Sequence, residues 1–168
     1  MSVPVPTRIR HGRLPDAGEL LTLQRAAFLS EAQRYRDPFL PPLRDTLDDM
    51  LAVLHDPDVT VLVAVMSSDC EQGHRGRIVG SARFALVGDT GRVGRIIVAP
   101  DLQGRGLGSA LLQAVQSEAQ AAGLRDLELF TGKASSQNLA LYRRHGYVDG
   151  EAGTDDRGVT LQVLRKAL

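Results

Sequence analysis

The chain has 168 residues, 43% of them hydrophobic and 24% charged, and its 20 basic and 20 acidic side chains give a formal net charge of zero. That length fits one domain over residues 1–168 with a sizeable core, and the balanced charge offers no basic field for nucleic acid. The single cysteine, Cys70, excludes an intrachain disulfide and a multi-thiolate metal site.

Residues 1–10 hold only Met1, Val3, Val5 and Ile9 as apolar side chains among prolines and arginines, so no signal-peptide core is expected there. Thr7–Arg10 reads as a first strand. Pro15, Asp16 and Glu19 open a helical pattern carried by Leu20, Leu21, Leu23, Ala27 and Phe28. Three prolines within Asp37–Pro42 break it. Thr46–Leu54 forms a second helix, with Leu47, Met50, Leu51 and Leu54 on one face and Asp45, Asp48 and Asp49 on a solvated one. Val59–Met66 is a buried strand and the longest apolar run, far short of the roughly 20 residues that span a bilayer. No membrane association is expected, and the location is expected to be cytoplasmic.

Ser67–Gly76 reads as a polar turn or loop. Arg77–Val87 and Arg92–Ala99 are strands joined by a hairpin turn at Gly88-Asp89-Thr90-Gly91. Arg105–Ala122 is a helix with Leu107, Leu111, Ala114, Val115, Ala119 and Ala122 in one stripe and Gly123 at its exit. Leu124–Thr131, Tyr147–Val148 and Val159–Leu164 are strands, and Ser135–His145 is a helix. The β-α-β unit from Arg92 to Phe130 predicts a parallel strand pair with a right-handed crossover.

The chemistry concentrates after the third central strand. In Arg95-Ile96-Ile97-Val98-Ala99-Pro100-Asp101-Leu102-Gln103-Gly104-Arg105-Gly106-Leu107-Gly108, a buried strand stops at a proline and enters a helix through three alternating glycines. The unpaired N–H groups and partial positive charge of a helix N-terminus suit a phosphate. Glycines let the backbone approach an anion without interference from Cβ. The spacing is neither that of a dinucleotide fingerprint nor that of a P-loop.

The run Val98-x-Pro100-x-x-Gln103-Gly104-x-Gly106-x-Gly108 resembles the acetyl-CoA signature of the GNAT family of N-acetyltransferases. Phe130-Thr131-Gly132-x-x-Ser135-x-x-Asn138-Leu139-x-Leu141-Tyr142-x-x-x-Gly146-Tyr147 continues the likeness. The resemblance implies a GNAT fold: α/β, with a mixed, mostly antiparallel central sheet, a splayed parallel strand pair and helices on both faces. It implies acetyl-CoA as co-substrate. The strand Ile96, Ile97, Val98 would receive the pantetheine arm beside a β-bulge. The turn Gln103, Gly104, Arg105, Gly106, Leu107, Gly108, Ser109 would hold the pyrophosphate. The Val98 N–H would polarise the thioester carbonyl, and Tyr142 would protonate the departing thiolate. Asn138 is a candidate cofactor contact, whereas Ser135 is either a contact or the N-cap of its helix. Arg143 and Arg144 could reach phosphates or remain solvated.

One departure matters. A family glutamate often precedes the Val-x-Pro on its strand, but Gly91-Arg92-Val93-Gly94-Arg95 holds no carboxylate, and an arginine does not accept a proton at neutral pH. The nearest acceptor-side candidates are Glu31, Tyr35 and Asp37, between the first two helices. His11, His55, His74 and His145 lack metal-ligand spacing, so no metal is expected; His145 reads as a helix end. The expected activity is acetyl transfer from acetyl-CoA to a primary amine of a small molecule by direct attack in a ternary complex. A protein or peptide N-acetyltransferase and a non-catalytic CoA-binding module are the alternatives, and a homodimer stays open.

Overall fold

A computed structural model describes residues 7–67 and 76–168. The loop expected at Ser67–Gly76, with Cys70 and His74 in it, therefore lies largely outside the described residues, as do the first six residues. Strands β1 (Thr7–His11), β2 (Val59–Met66), β3 (Arg77–Val87), β4 (Thr90–Val98), β5 (Asp126–Gly132), β6 (Val148–Thr154) and β7 (Thr160–Ala167) form one sheet in the order β1-β2-β3-β4-β5-β7-β6. Every neighbouring pair is antiparallel except β4 and β5, which are parallel across the predicted crossover. Helices α1 (Ala17–Tyr35), α2 (Pro41–Arg44), α3 (Leu47–His55), α4 (Leu107–Ala121) and α5 (Ser136–Arg144) complete the chain. Among the described residues no helix is long and apolar enough to cross a membrane.

The alternation of β3 decides what each face holds. A Cβ on Gly80 would lie 2.9 Å from Leu111 of α4, so that face packs against α4. Ser81 and Arg83 point the other way, where they share a small void with Leu20 and Gln24 of α1 and Met50 of α3. The core is closed on the α4 side by Leu111, Leu112, Val115 and Ala119, all fully buried against Val79, Ala82, Phe84 and Leu127.

Four elements differ from the expected ones for physical reasons. Helix α1 runs past Phe28 to Tyr35 and stops where Arg36 turns left-handed at φ 51°, its N–H closing on the Ala32 and Gln33 carbonyls. Helix α2 begins at Pro41-Pro42, where a first helical turn has no use for the missing N–H groups. The hairpin needs only Gly88-Asp89 as its turn, with Gly88 at φ 61° and Thr90 already paired to Val87. Strand β6 extends over Val148–Thr154 although every residue of it is exposed, because pairing to β7 alone sustains it at the sheet edge.

Because Leu111 is wholly buried at the centre of this packing, Leu111→Ala should lower unfolding stability by about 2–5 kcal/mol. A urea melt of the two proteins measures it; a loss below 1 kcal/mol would mean that the α4–sheet contact is not the core of the fold.

Candidate active site

The site originates in a failure of pairing between β4 and β5. Their register holds only for Thr90↔Asp126, Gly91↔Leu127 and Arg92↔Glu128, after which the strands part. On the other edge of β4, Arg83 pairs with Gly94 and Ser81 with Ile97, so Arg95 and Ile96 oppose the single residue Ala82. This is a β-bulge, and Arg95 at its centre adopts φ 52°, an uncommon conformation for a residue with a long side chain.

Beyond the bulge the ladder alternates. The Ala99 N–H donates to the Val79 carbonyl at 2.8 Å, which makes that pair hydrogen-bonded and directs the main-chain groups of Val98 away from β3, into the gap. The Val98 carbonyl accepts from Gln103 Nε2 at 3.3 Å, leaving its N–H as the group free to meet a ligand. Pro100–Leu102 forms one 3-10 turn, and the chain then reverses through Gly104 (φ 74°) and Gly106 (φ 84°) into α4. Both left-handed positions are open to glycine at little steric cost. They leave the first amides of α4 facing a cavity of about 1300 Å³.

That cavity brings together most of the residues expected from the sequence. Ile96, Ile97, Val98, Gln103, Gly104, Gly106, Leu107, Gly108, Ser109, Asn138 and Tyr142 line it, as do Glu31 and Tyr35. Arg105 does not; its side chain is exposed on the outside of the glycine turn. Arg144 lines the cavity, whereas Arg143 turns away to pair with Asp149 at 2.6 Å. Asp37 is also drawn off: it accepts from Arg157 Nη1 at 3.0 Å and from the Phe39 N–H at 2.8 Å. That ion pair joins the α1–α2 connection to the β6–β7 turn, 120 residues later, across one end of the cavity.

Ser135 has a role that its position at the start of α5 does not show. It makes no side-chain cap; it is fully buried, and its hydroxyl donates to Glu31 Oε2 at 2.7 Å. Since that uses its one proton, the Tyr35 hydroxyl donates to Ser135 Oγ at 3.2 Å. Arg34 closes on the other Glu31 oxygen. Tyr35 fits only because residue 132 is a glycine, whose Cβ would fall within 1.9 Å of its hydroxyl. Burial, and then the charges of Tyr147 and Glu31, push the Tyr142 phenol well above its ordinary pKa, so it keeps its proton throughout the neutral range.

Asp45 is the other correction. The sequence pattern placed it on a solvated face with Asp48 and Asp49. Instead it accepts from Gln24 Nε2 at 2.7 Å and pairs with Arg95 Nη2 at 3.3 Å. Gln24 itself, 1% exposed, also donates to the Pro42 carbonyl at 2.8 Å; in sequence it is only a polar residue beside an apolar stripe. Asp49 caps α3 by exchanging hydrogen bonds with Thr46, and Asp48 is exposed.

The profile of the acetyltransferase (GNAT) family matches residues 21–147, and the chain belongs to that family. It is thus an acetyltransferase by family. An IAA acetyltransferase of Azospirillum brasilense is 36% identical over 123 residues, covering 72% of this chain and 74% of that protein. A mycothiol acetyltransferase of Clavibacter michiganensis subsp. michiganensis is 31% identical over 134 residues, which is 80% of this chain but 40% of the relative's length. The crystal structure of a PaiA N-acetyltransferase from Thermoplasma acidophilum in complex with coenzyme A shares the fold, with a TM-score of 0.71 over 97% of this chain and 99% of that one at 14% identity.

The buried serine offers a direct check on this architecture. Ser135→Ala leaves Glu31 and Tyr35 without their shared partner and should reduce stability by about 1–3 kcal/mol. An unchanged urea midpoint would show that the Glu31–Ser135–Tyr35 chain is not formed in solution.

Proposed function

We propose that the protein transfers the acetyl group of acetyl-CoA to a primary amine of a small molecule, within a ternary complex and without a covalent acyl-enzyme. The observation that carries this reading is the splayed β4–β5 pair, with the Val98 N–H turned into the gap beside the glycine-turned mouth of α4. A strand edge with unpaired main-chain groups suits the amide-bearing pantetheine arm, and the first amides of α4 suit a pyrophosphate. That a protein of this fold from Thermoplasma acidophilum was solved in complex with coenzyme A supports coenzyme A as the ligand class. Ile96 and Val98 would hold the arm, Gly104 to Ser109 the diphosphate, and Asn138 on α5 would add a polar contact.

Bound acetyl-CoA supplies a thioester whose carbonyl carbon accepts the amine nitrogen and whose C–S bond then breaks. The Val98 N–H donates to the carbonyl oxygen and stabilises the charge that develops there. Tyr142 donates its phenolic proton to the sulfur as the thiol departs, and the product is an acetamide. The incoming amine loses one proton. Among the described residues Glu31 is the one acidic side chain lining the cavity, and Ser135 and Arg34 engage both of its oxygens. The amine therefore reacts as the free base and releases its proton to water. Much of the rate comes from holding nitrogen and carbonyl together. Leu40 and Pro42 wall the cavity, and the Asp37–Arg157 pair crosses one end of it; both support a small acceptor over a protein chain.

Tyr142→Phe tests this reading. With a good leaving group, kcat should fall by about tenfold to a few hundredfold, while CoA affinity and the melting midpoint barely change. Because burial raises the phenol, the rate with the wild-type protein should climb with the free-amine fraction and show no loss of acid below about pH 10. Full turnover in Tyr142→Phe, followed as CoA release, would remove the tyrosine from the mechanism. So would a falling limb near pH 8 that persists unchanged in the variant.

A further inference from the structure

The acceptor half of the cavity carries an unusual charge pattern. Against Glu31, the single acid lining it among the described residues, stand Arg34, Arg83, Arg92, Arg95, Arg144 and Arg157. Four of these are occupied: Arg34 by Glu31, Arg92 by Glu128 at 3.8 Å, Arg95 by Asp45, and Arg157 by Asp37 and Asp155. Arg144 lies on α5, towards the CoA side. Arg83 is different. It sits in the middle of β3 on the face covered by α1 and α3, half-buried, with neither an ion pair nor a hydrogen bond among the described residues.

Its surroundings make that isolation costly. Arg95 lies close enough to repel it, and Asp45, which attracts both, is committed to Gln24 and to Arg95. Arg95 is pinned 5.8 Å over the Phe28 ring, and its Nε is buried with no hydrogen-bond partner among the described residues. A guanidinium stays charged under all ordinary conditions and presents a fork that matches a carboxylate. Half-buried on the cavity wall and without a partner among the described residues, it presents that fork to an anion entering the cavity. The space for one is there: Gly94 sits opposite Arg83 in the ladder, and a Cβ on Gly94 would meet nothing within 4 Å.

Resting on the acetyltransferase reading, the geometry points to an acceptor that is an amino carboxylic acid: its amine meets the Val98 side of the cavity and its carboxylate is held by Arg83, with Arg95 beside it. Gly94 precedes Val98 by four residues, about 13 Å of extended strand before the bulge shortens it. The long arginine side chain covers part of that span and the acceptor the rest. Phe28 and the exposed Phe130 also line the cavity, which suits an apolar body.

The test compares binding and turnover on matched ligands. Titration calorimetry with CoA present would use the standard amino acids and their C-terminal carboxamides, which differ only at the proposed anion. At least one carboxylate should bind ten or more times tighter than its amide. Arg83→Gln should abolish that preference, and Arg83→Lys should restore part of it. Arg83→Met, which removes a half-buried charge with no partner among the described residues, should melt at or above the wild-type temperature, showing that lost binding is not lost folding. Equal binding of acids and amides, or a preference that survives in Arg83→Gln, overturns the inference whatever the enzyme does. CoA release from acetyl-CoA with the same ligands is read separately. No release from any of them, with the carboxylate preference intact, would count against the transferase reading and leave the Arg83 site standing.

Discussion

The geometry of the site follows from one defect in one strand. A continuous ladder on both edges of β4 would consume every main-chain donor it has, and the sheet would close over the place where the cavity lies. The bulge at Arg95-Ile96 spoils the register with β3 and bends the strand, so that pairing with β5 ends at Arg92. What remains is an edge of free amide groups in the middle of a seven-stranded sheet, where edges do not normally occur. Such an edge persists only if the rest of the fold holds it open. Packing of α4 against β2, β3 and β4 does so on one face, and the Gln24–Asp45–Arg95 network does so on the other.

The bulge also explains why the arginines matter. Its left-handed residue is Arg95, and neither glycine nor asparagine, the usual occupants, stands there. An arginine held in that conformation by an aspartate and an aromatic ring is over-determined by its neighbours, as strained functional positions commonly are. Strain, desolvation and like charge collect at the same few residues, on the side of the sheet from which an acceptor would approach. The end of the cavity at the mouth of α4 is held instead by glycine turns and main-chain amides and carries little side-chain charge. The two halves of the cavity thus use different chemistry.

Legibility in the sequence followed the same division. The β4–α4 passage was legible because it depends on residue types with strict backbone consequences, a proline that ends a strand and glycines that turn left-handed. The apolar periods located α1, α3, α4 and the three central strands. Strand β6 was legible only at its start, Val148, since Asp149-Gly150-Glu151-Ala152-Gly153 has neither alternation nor apolar content and is held by its neighbour alone. Ser135 illustrates a second limit: a capping serine and a serine buried against a glutamate 104 residues away look identical in one dimension. Asp45 likewise reads as solvent-facing, and Asp37 as an acceptor-side candidate, because their arginine partners, Arg95 and Arg157, come from distant strands and turns. Arg83 reads as a strand residue; only the fold shows that no partner among the described residues reaches it.

The central claim concerns alternate amides of β4, and hydrogen exchange followed by NMR reads them one at a time. In the free protein the Ala99 amide, bonded to Val79, should be strongly protected, whereas those of Ile96 and Val98 should exchange rapidly. Saturating CoA should slow exchange at Ile96 and Val98 and leave Ala99 as it was. Protection of Val98 equal to that of Ala99 without ligand, unaltered by CoA, would show that the strand is paired on both sides and that the gap is not where the cofactor binds.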